Sequence, residues 1–320
     1  MNLSVLGCGR WGSFIAYYLS DKHDVMLWGR ENGTTFSTLK EKRANTYLTL
    51  PDNIKLTSSL REALEADIII ISILTQELRG FLKEVVDILQ DNLKKKKFVF
   101  CMKGVDSETG QTLTQIAMSV GIDKNALALW VGPGHVENFL SGISNCMLIS
   151  AYDKEYSKML SQQFSSKLIR FYLSDDVLGA EIGSASKNVV GIASGILDGL
   201  GYQCLKGALM TRATNEVSKL IVAMGGEQTT VYGLAHLGDY EATLFSPFSH
   251  NRSYGEMLAR GEKYDKSAEG VGNTKGIAHL GKKYNIDMPI TYALERVLFE
   301  NADIEEEIDK LFEREQKYEF

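Results

Sequence analysis

The first half of the chain alternates short apolar runs with stretches whose apolar positions recur at helical spacing. Leu3–Leu6, Asp24–Trp28, Asp67–Ile73, Phe98–Met102, Leu127–Val131, Cys146–Ser150 and Leu168–Leu173 read as strands. Helices are expected over residues 12–20, 76–89, 112–120 and 155–164. Strands that are apolar on both faces and alternate with helices belong to a doubly wound, mainly parallel α/β sheet. From Val177 onward the pattern is helical, broken only around Gly199-Leu200-Gly201, Gly225-Gly226, Ser246-Pro247 and Met288-Pro289. The expected organisation is a sheet domain over residues 1–176 and an all-helical domain over residues 177–320.

One helical segment is unusual. Gly183-Ser184-Ala185-Ser186-Lys187-Asn188 continues through Val189, Val190, Gly191, Ile192, Ala193, Ser194 and Gly195. At helical spacing Lys187 shares a face with Gly183, Ser184, Gly191 and Ser194, while Ile182, Val189, Ile192 and Ile196 form an apolar stripe opposite. Interior glycines each cost roughly 1 kcal/mol relative to alanine, so something requires close approach here. Two readings are open for Lys187. Its ammonium faces a small-residue groove as a substrate-contacting acid/base, or its stem lies along a helix contact with the amine at the surface.

Gly7-Cys8-Gly9-Arg10-Trp11-Gly12 follows the first strand directly and opens a helix, the context that makes GxGxxG a dinucleotide-binding loop. The helix N-terminus supplies N–H donors to a pyrophosphate. This makes the first domain Rossmann-type. An acidic residue that grips the ribose 2′-hydroxyl is expected at the end of the second strand, after Leu27-Trp28-Gly29. Arg30 stands there, with Glu31 one place late. Arg30 beside a 2′-phosphate points to NADPH or to tolerance of NADH as well; a solvent-facing arginine is the alternative.

Lys103, at the end of the strand Phe98–Met102, falls where open α/β sheets bind ligands. With Lys187 it supplies the positive charge and proton that a developing alkoxide needs in ketone reduction. Asp239, in His236-Leu237-Gly238-Asp239, is placed either to anchor Lys187 or to cap a helix.

Bulk properties narrow the setting. Apolar residues make up 44% of the 320, charged residues 24%, and the net charge is −6. That balance argues against nucleic acid or an anionic membrane as partner. The basic run Lys94–Lys97 reads as a solvated loop before a strand. No apolar run approaches the roughly 20 residues of a transmembrane helix, and the first residues enter a strand with no charged leader; a cytoplasmic location is expected. Cys8, Cys101, Cys146 and Cys204 are widely spaced, as for reduced thiols. The five histidines show no metal-ligand spacing.

In order, Gly7-x-Gly9-x-Trp11-Gly12-Ser13, Leu27-Trp28-Gly29, Lys103-Gly104 and Gly132-Pro133-Gly134-His135-Val136-Glu137 are followed by Ser186-Lys187-Asn188-Val189 and Asp198-Gly199. Leu237-Gly238-Asp239, Asn251-Arg252, Glu269-Gly270-x-x-Asn273-Thr274-Lys275 and Met288-Pro289-Ile290 complete the set. The set resembles the NAD(P)-dependent glycerol-3-phosphate dehydrogenases over nearly the whole chain. The resemblance implies reversible reduction of dihydroxyacetone phosphate to sn-glycerol 3-phosphate by NADH or NADPH, and a homodimer. It implies that Lys187 exchanges the proton at C2 and that Lys103 and Asp239 line the substrate, Lys103 also meeting the cofactor. Gly132 and Gly134 match a substrate-contacting loop, and Ser249, His250, Asn251 and Arg252 match the substrate-phosphate loop. Gly7, Gly9, Arg10, Trp11, Gly12, Arg30, Val136 and Glu269 match cofactor positions.

Three departures stand out. His250 replaces an arginine of the phosphate loop, exchanging a permanently charged fork for a single donor. Gly134 replaces a hydroxyl-bearing residue. Ile73-Leu74-Thr75 lacks a proline-containing turn. These changes leave open a same-scaffold dehydrogenase for another small keto or keto-phosphate substrate. A reading from another class is a module that binds NAD(P)H without turnover.

Overall fold

In a computed structural model the chain is described at every residue except Lys317 and Phe320. It forms two compact units. The first comprises Met1–Lys103 and Gln111–Glu181, and the second comprises Gly104–Gly110 and Ile182–Phe320.

The first unit is built on eight strands: β1 (Asn2–Leu6), β2 (Asp24–Trp28), β3 (Lys55–Thr57), β4 (Ile68–Ile71), β5 (Lys97–Phe100), β6 (Leu127–Val131), β7 (Asn145–Ala151) and β8 (Ile169–Ser174). Its helices are α1 (Arg10–Leu19), α2 (Thr34–Lys42), α3 (Leu60–Ala63), α4 (Leu78–Leu89), α5 (Leu113–Ser119), α6 (Val136–Leu140) and α7 (Lys154–Phe164). The strands pair in the order β3-β2-β1-β4-β5-β6-β7-β8, parallel throughout except for β6 against β7. β1 is flanked by β2 and β4, so the strand order reverses around it, and β1 carries the glycine loop at its carboxyl end. Ligands bind open sheets at this topological switch. All four isoleucines of β4 are buried, as a strand covered on both faces requires. The doubly wound sheet agrees with the sequence pattern. Residues 34–63, where no element was expected, form α2, the three-residue β3 and the single-turn α3.

The second unit contains α8 (Val177–Gly199, from Ile182 onward), α9 (Lys206–Ala223), α10 (His250–Ala259), α11 (Glu269–Lys283), α12 (Pro289–Phe299) and α13 (Ile304–Phe312). Short 3₁₀ turns and one π-turn, Glu241–Phe245, join them. The segment Gly104–Gly110 belongs here through Val105, whose N–H donates to Asn273 Oδ1 at 3.2 Å, and through the 2.7 Å pair of Lys275 with Glu108. Glu216 of α9 accepts from Ile290 N and from Thr291 N and Oγ1, satisfying orphan donors at the start of α12. No helix among the described residues is long and apolar enough to cross a membrane.

The glycines of α8 have a structural use. A Cβ on Gly195 would lie 1.9 Å from Arg252 O, and one on Gly199 2.6 Å from Glu256 O. On the opposing helix, a Cβ on Gly255 would lie 2.1 Å from Ile192 O. The small-residue face of α8 therefore brings α10 into backbone contact, a close packing that side chains forbid.

Gly195→Ala is expected to destabilise the protein by about 1–3 kcal/mol through overpacking. Gly207→Ala, in α9 where nothing lies within 4 Å of the new methyl, is expected to stabilise it by about 0.4–1 kcal/mol. Thermal denaturation of the two variants checks the pair; equal shifts would refute the packing argument.

Candidate active site

In the first unit the chain leaves β1 and turns through the glycine loop into α1. A Cβ on Gly7 would lie 2.1 Å from Ser72 O, and one on Gly12 1.9 Å from Gly7 O. Gly9 differs, with nothing within 4 Å of the position its Cβ would take. Two glycines thus serve close packing and the middle one leaves a cradle, which fits the pyrophosphate of a dinucleotide. Arg10 is salt-bridged to Glu137 through Nη2, while its buried Nε has no hydrogen-bond partner among the described residues. That orphan donor suits an anion. Trp11 packs its ring against Phe14 and Phe139, at 5.3 and 6.2 Å between centroids.

Arg30 follows β2 with its side chain 63% exposed and paired to Glu77 at 2.5 Å. Glu31 is paired to Lys40 at 3.2 Å. Each charge offered for cofactor choice is therefore met by an opposite charge on the surface.

Lys103 donates from Nζ to Gly132 O at 2.7 Å, joining the two loops that follow β5 and β6. Gly134 has φ +142°, and a Cβ there would lie 2.4 Å from the Phe139 ring. The absence of a hydroxyl-bearing residue at this position thus has a local cause in backbone conformation and in Phe139. Val136 opens α6 with its side chain buried in the core of the unit.

In the second unit α8 carries Lys187, only 7% exposed. Its Nζ lies 3.0 Å from Asp239 Oδ2 and donates to Thr243 Oγ1 at 2.7 Å. Thr243 Oγ1 in turn donates to the Asp239 carbonyl at 2.7 Å. The structure thus joins Lys187 and Asp239, the anchoring alternative for this carboxylate; the N-cap of α10 is Ser249. Thr243 escaped the sequence reading. Its signal is the four-residue spacing from Asp239, which lets a threonine hydroxyl reach back to the preceding turn's carbonyl. It lies in the π-turn, a form of helix frequent at functional sites.

The four residues expected to form a substrate-phosphate loop sit at the start of α10. Ser249 Oγ accepts from Arg252 N at 3.3 Å, and Asn251 Oδ1 accepts from Gly270 N at 2.9 Å, beside Glu269 at the exposed start of α11. His250 Nδ1 meets the Tyr264 hydroxyl at 2.5 Å. Arg252 is tied by Nε to Asp198 Oδ2 at 2.6 Å and by Nη2 to Glu256 at 3.2 Å. No group of three or more histidine, cysteine or acidic side chains among the described residues is arranged to hold a metal ion.

His236, beside this site, is fully buried. Its Nδ1 faces Gly183 O at 2.8 Å and its Nε2 faces the Tyr240 hydroxyl at 2.8 Å. A neutral ring satisfies both, donating to the carbonyl and accepting from the hydroxyl. Burial pushes its pKa down to about 4, against the opposing pull of the Gly183 hydrogen bond and Asp239.

Two family models cover most of the chain. One, described as the NAD-dependent glycerol-3-phosphate dehydrogenase N-terminus, matches residues 2–157; the other, the corresponding C-terminus, matches residues 176–309. A Fusobacterium nucleatum protein named glycerol-3-phosphate dehydrogenase [NAD(P)+] is 36% identical, over 100% of this chain and 98% of its own. A Staphylococcus aureus protein of the same name is 35% identical over 99% of each. The crystal structure of glycerol-3-phosphate dehydrogenase from Coxiella burnetii superposes with a TM-score of 0.91 at 26% identity, covering 98% of this chain and 99% of that one.

The His236 environment generates a pH prediction. The unfolded ring takes up its proton near pH 6.5 and the folded ring near pH 4, so stability falls as pH drops through that window. The loss from this residue is on the order of 3 kcal/mol. In denaturant titrations His236→Gln should lose less stability than wild type between pH 6.5 and 4; parallel curves would refute the neutral buried imidazole.

Proposed function

Since the chain belongs to the NAD-dependent glycerol-3-phosphate dehydrogenase family, we propose that it catalyses reversible reduction of dihydroxyacetone phosphate to sn-glycerol 3-phosphate. NADH or NADPH is the reductant. The observation that carries the reading is Lys187, an amine buried in a helix and fastened to Asp239 at 3.0 Å and Thr243 at 2.7 Å.

A bound reduced nicotinamide supplies the hydride delivered to C2 of the substrate. Lys187 gives a proton to the C2 oxygen as that oxygen gains charge, and takes it back in the reverse reaction. Asp239 favours the charged form of Lys187 and, with Thr243, restricts where Nζ points, so little reorganisation accompanies proton transfer. Lys103 adds positive charge near the substrate and the cofactor, with Gly132 and Gly134 shaping the loop it bonds to. Ser249, His250, Asn251 and Arg252 receive the substrate phosphate. Gly7, Gly9, Arg10, Trp11 and Gly12 hold the pyrophosphate end of the cofactor. Arg30, Val136 and Glu269 complete its contacts. On this reading the enzyme works as a cytoplasmic homodimer. The Phe139 ring beside Gly134 gives that departure a packing cause, which removes one motive for a different substrate.

The purified protein is expected to consume NADH or NADPH with saturation in dihydroxyacetone phosphate. Unphosphorylated dihydroxyacetone should be at least about 100-fold poorer in kcat/KM. Equal use of both ketones would sink the reading. The NADPH to NADH ratio reads whether Arg30 leaves Glu77 for a 2′-phosphate. Lys187→Met should lower kcat about 10²–10⁴-fold while cofactor binding, followed by nicotinamide fluorescence, persists. Wild-type turnover in that variant would remove Lys187 from the chemistry.

A further inference from the structure

The helical unit buries a second set of charges, of which Asp198 and Lys206 take no part in the proposed reaction. Asp198 lies near the C-terminal end of α8 and Lys206 at the start of α9, both buried. A single oxygen, Asp198 Oδ2, takes Lys206 Nζ at 2.7 Å and Arg252 Nε at 2.6 Å. Removing such charges from water is costly, and buried ion pairs are weak devices for stability alone; fixing one arrangement of the chain is a better-attested use.

The remaining contacts of Lys206 show which arrangement is fixed. Its Nζ also donates to Leu244 O at 3.0 Å, and Ser194 Oγ of α8 donates to the same carbonyl at 3.0 Å. The ammonium lies 4.9 Å from the centroid of the Phe245 ring. Leu244 and Phe245 end the π-turn whose middle residue is Thr243, the hydroxyl that accepts from Lys187. The segment from Asp239 to Arg252 is thus pinned at three places. Asp239 is held by Lys187, Leu244 by Lys206 and Ser194, and Arg252 by Asp198.

We infer that Lys206, seated on Asp198, is a positioning residue: it holds the π-turn at Leu244 O so that the Thr243 hydroxyl stays against Lys187 Nζ. A π-turn departs from the regular helical hydrogen-bond pattern, so its carbonyls need donors from elsewhere. Without Lys206 the turn relaxes and Thr243 leaves its place beneath the amine. The kinetic consequence rests on the proposed reaction; the clamp itself does not.

The test is Lys206→Met, with hydrogen exchange measured first. Peptides spanning residues 239–252 should exchange at least about tenfold faster than in wild type, while those of β1 and β4 stay unchanged. The double-mutant cycle with Thr243→Val follows. Lys206→Met alone should lower kcat with dihydroxyacetone phosphate about 10- to 100-fold, leaving KM for the cofactor within about twofold. In the Thr243→Val background the same change should cost less than about threefold, since the two act on one contact. Unchanged exchange in a folded variant would overturn the clamp, and additive kinetic losses would overturn its action through Thr243. If Lys206→Met does not fold, Lys206→Gln, which keeps a neutral donor, is read in the same two assays. If wild type itself does not turn over dihydroxyacetone phosphate, the proposed reaction fails, and the exchange result still decides the clamp.

Discussion

A lysine buried in a helix is tolerable only if a counter-charge meets it, and the helical unit is arranged around that requirement. Left alone, an ammonium at 7% exposure sheds its proton or drags its helix toward water. The counter-charge does not come from α8, where no acidic residue stands three, four or seven positions from Lys187. It arrives on a separate connection, the 3₁₀ turn Leu237–Asp239, and the structure must hold that connection close. Gly195 and Gly199 let α10 lie backbone to backbone on α8, Gly191 leaves room for Thr243 and Asn251, and the π-turn lies between Asp239 and α10. His236, neutral and satisfied at both nitrogens, adds no competing charge beside the pair.

The sheet unit answers a different constraint, close approach to an anion without a side chain in the way. Gly7 and Gly12 are consumed by packing against Ser72 and each other, whereas Gly9 opens onto empty space. The same local economy appears at Gly134, where the Phe139 ring occupies the volume of a side chain. Family membership and the Coxiella burnetii superposition concern the whole scaffold; these contacts show how this chain's own residues realise it.

Much of this was legible in the sequence because two strong signals coincide. Strands such as Ile68–Ile71 are apolar on both faces, and the glycine triplet follows the first of them at once. The short elements between Thr34 and Ala63 were not legible, since a three-residue strand and a one-turn helix produce too little periodicity. Lys187 announced itself through the small residues around it, but part of the reason was different. Gly195 and Gly199 admit α10. Thr243 stayed hidden because a π-turn breaks the helical period, and the ties of Arg252 to Asp198 and His250 to Tyr264 exist only once distant segments meet. The role of Arg30 was left open by the sequence, which could not show its pairing with Glu77, 47 residues further along the chain.

The short segment Gly104–Gly110 has an effect on how the protein comes into being. It is made early yet belongs to the unit made late, and its bond from Val105 closes on a residue 168 positions downstream. On the ribosome this peptide waits without its partners until α11 has emerged. The helical unit therefore completes itself around an element threaded through from the first half of translation. No single cut separates the two units either: a fragment ending at Glu181 carries Gly104–Gly110 away and leaves the remaining helices with Asn273 and Gly276 facing a gap.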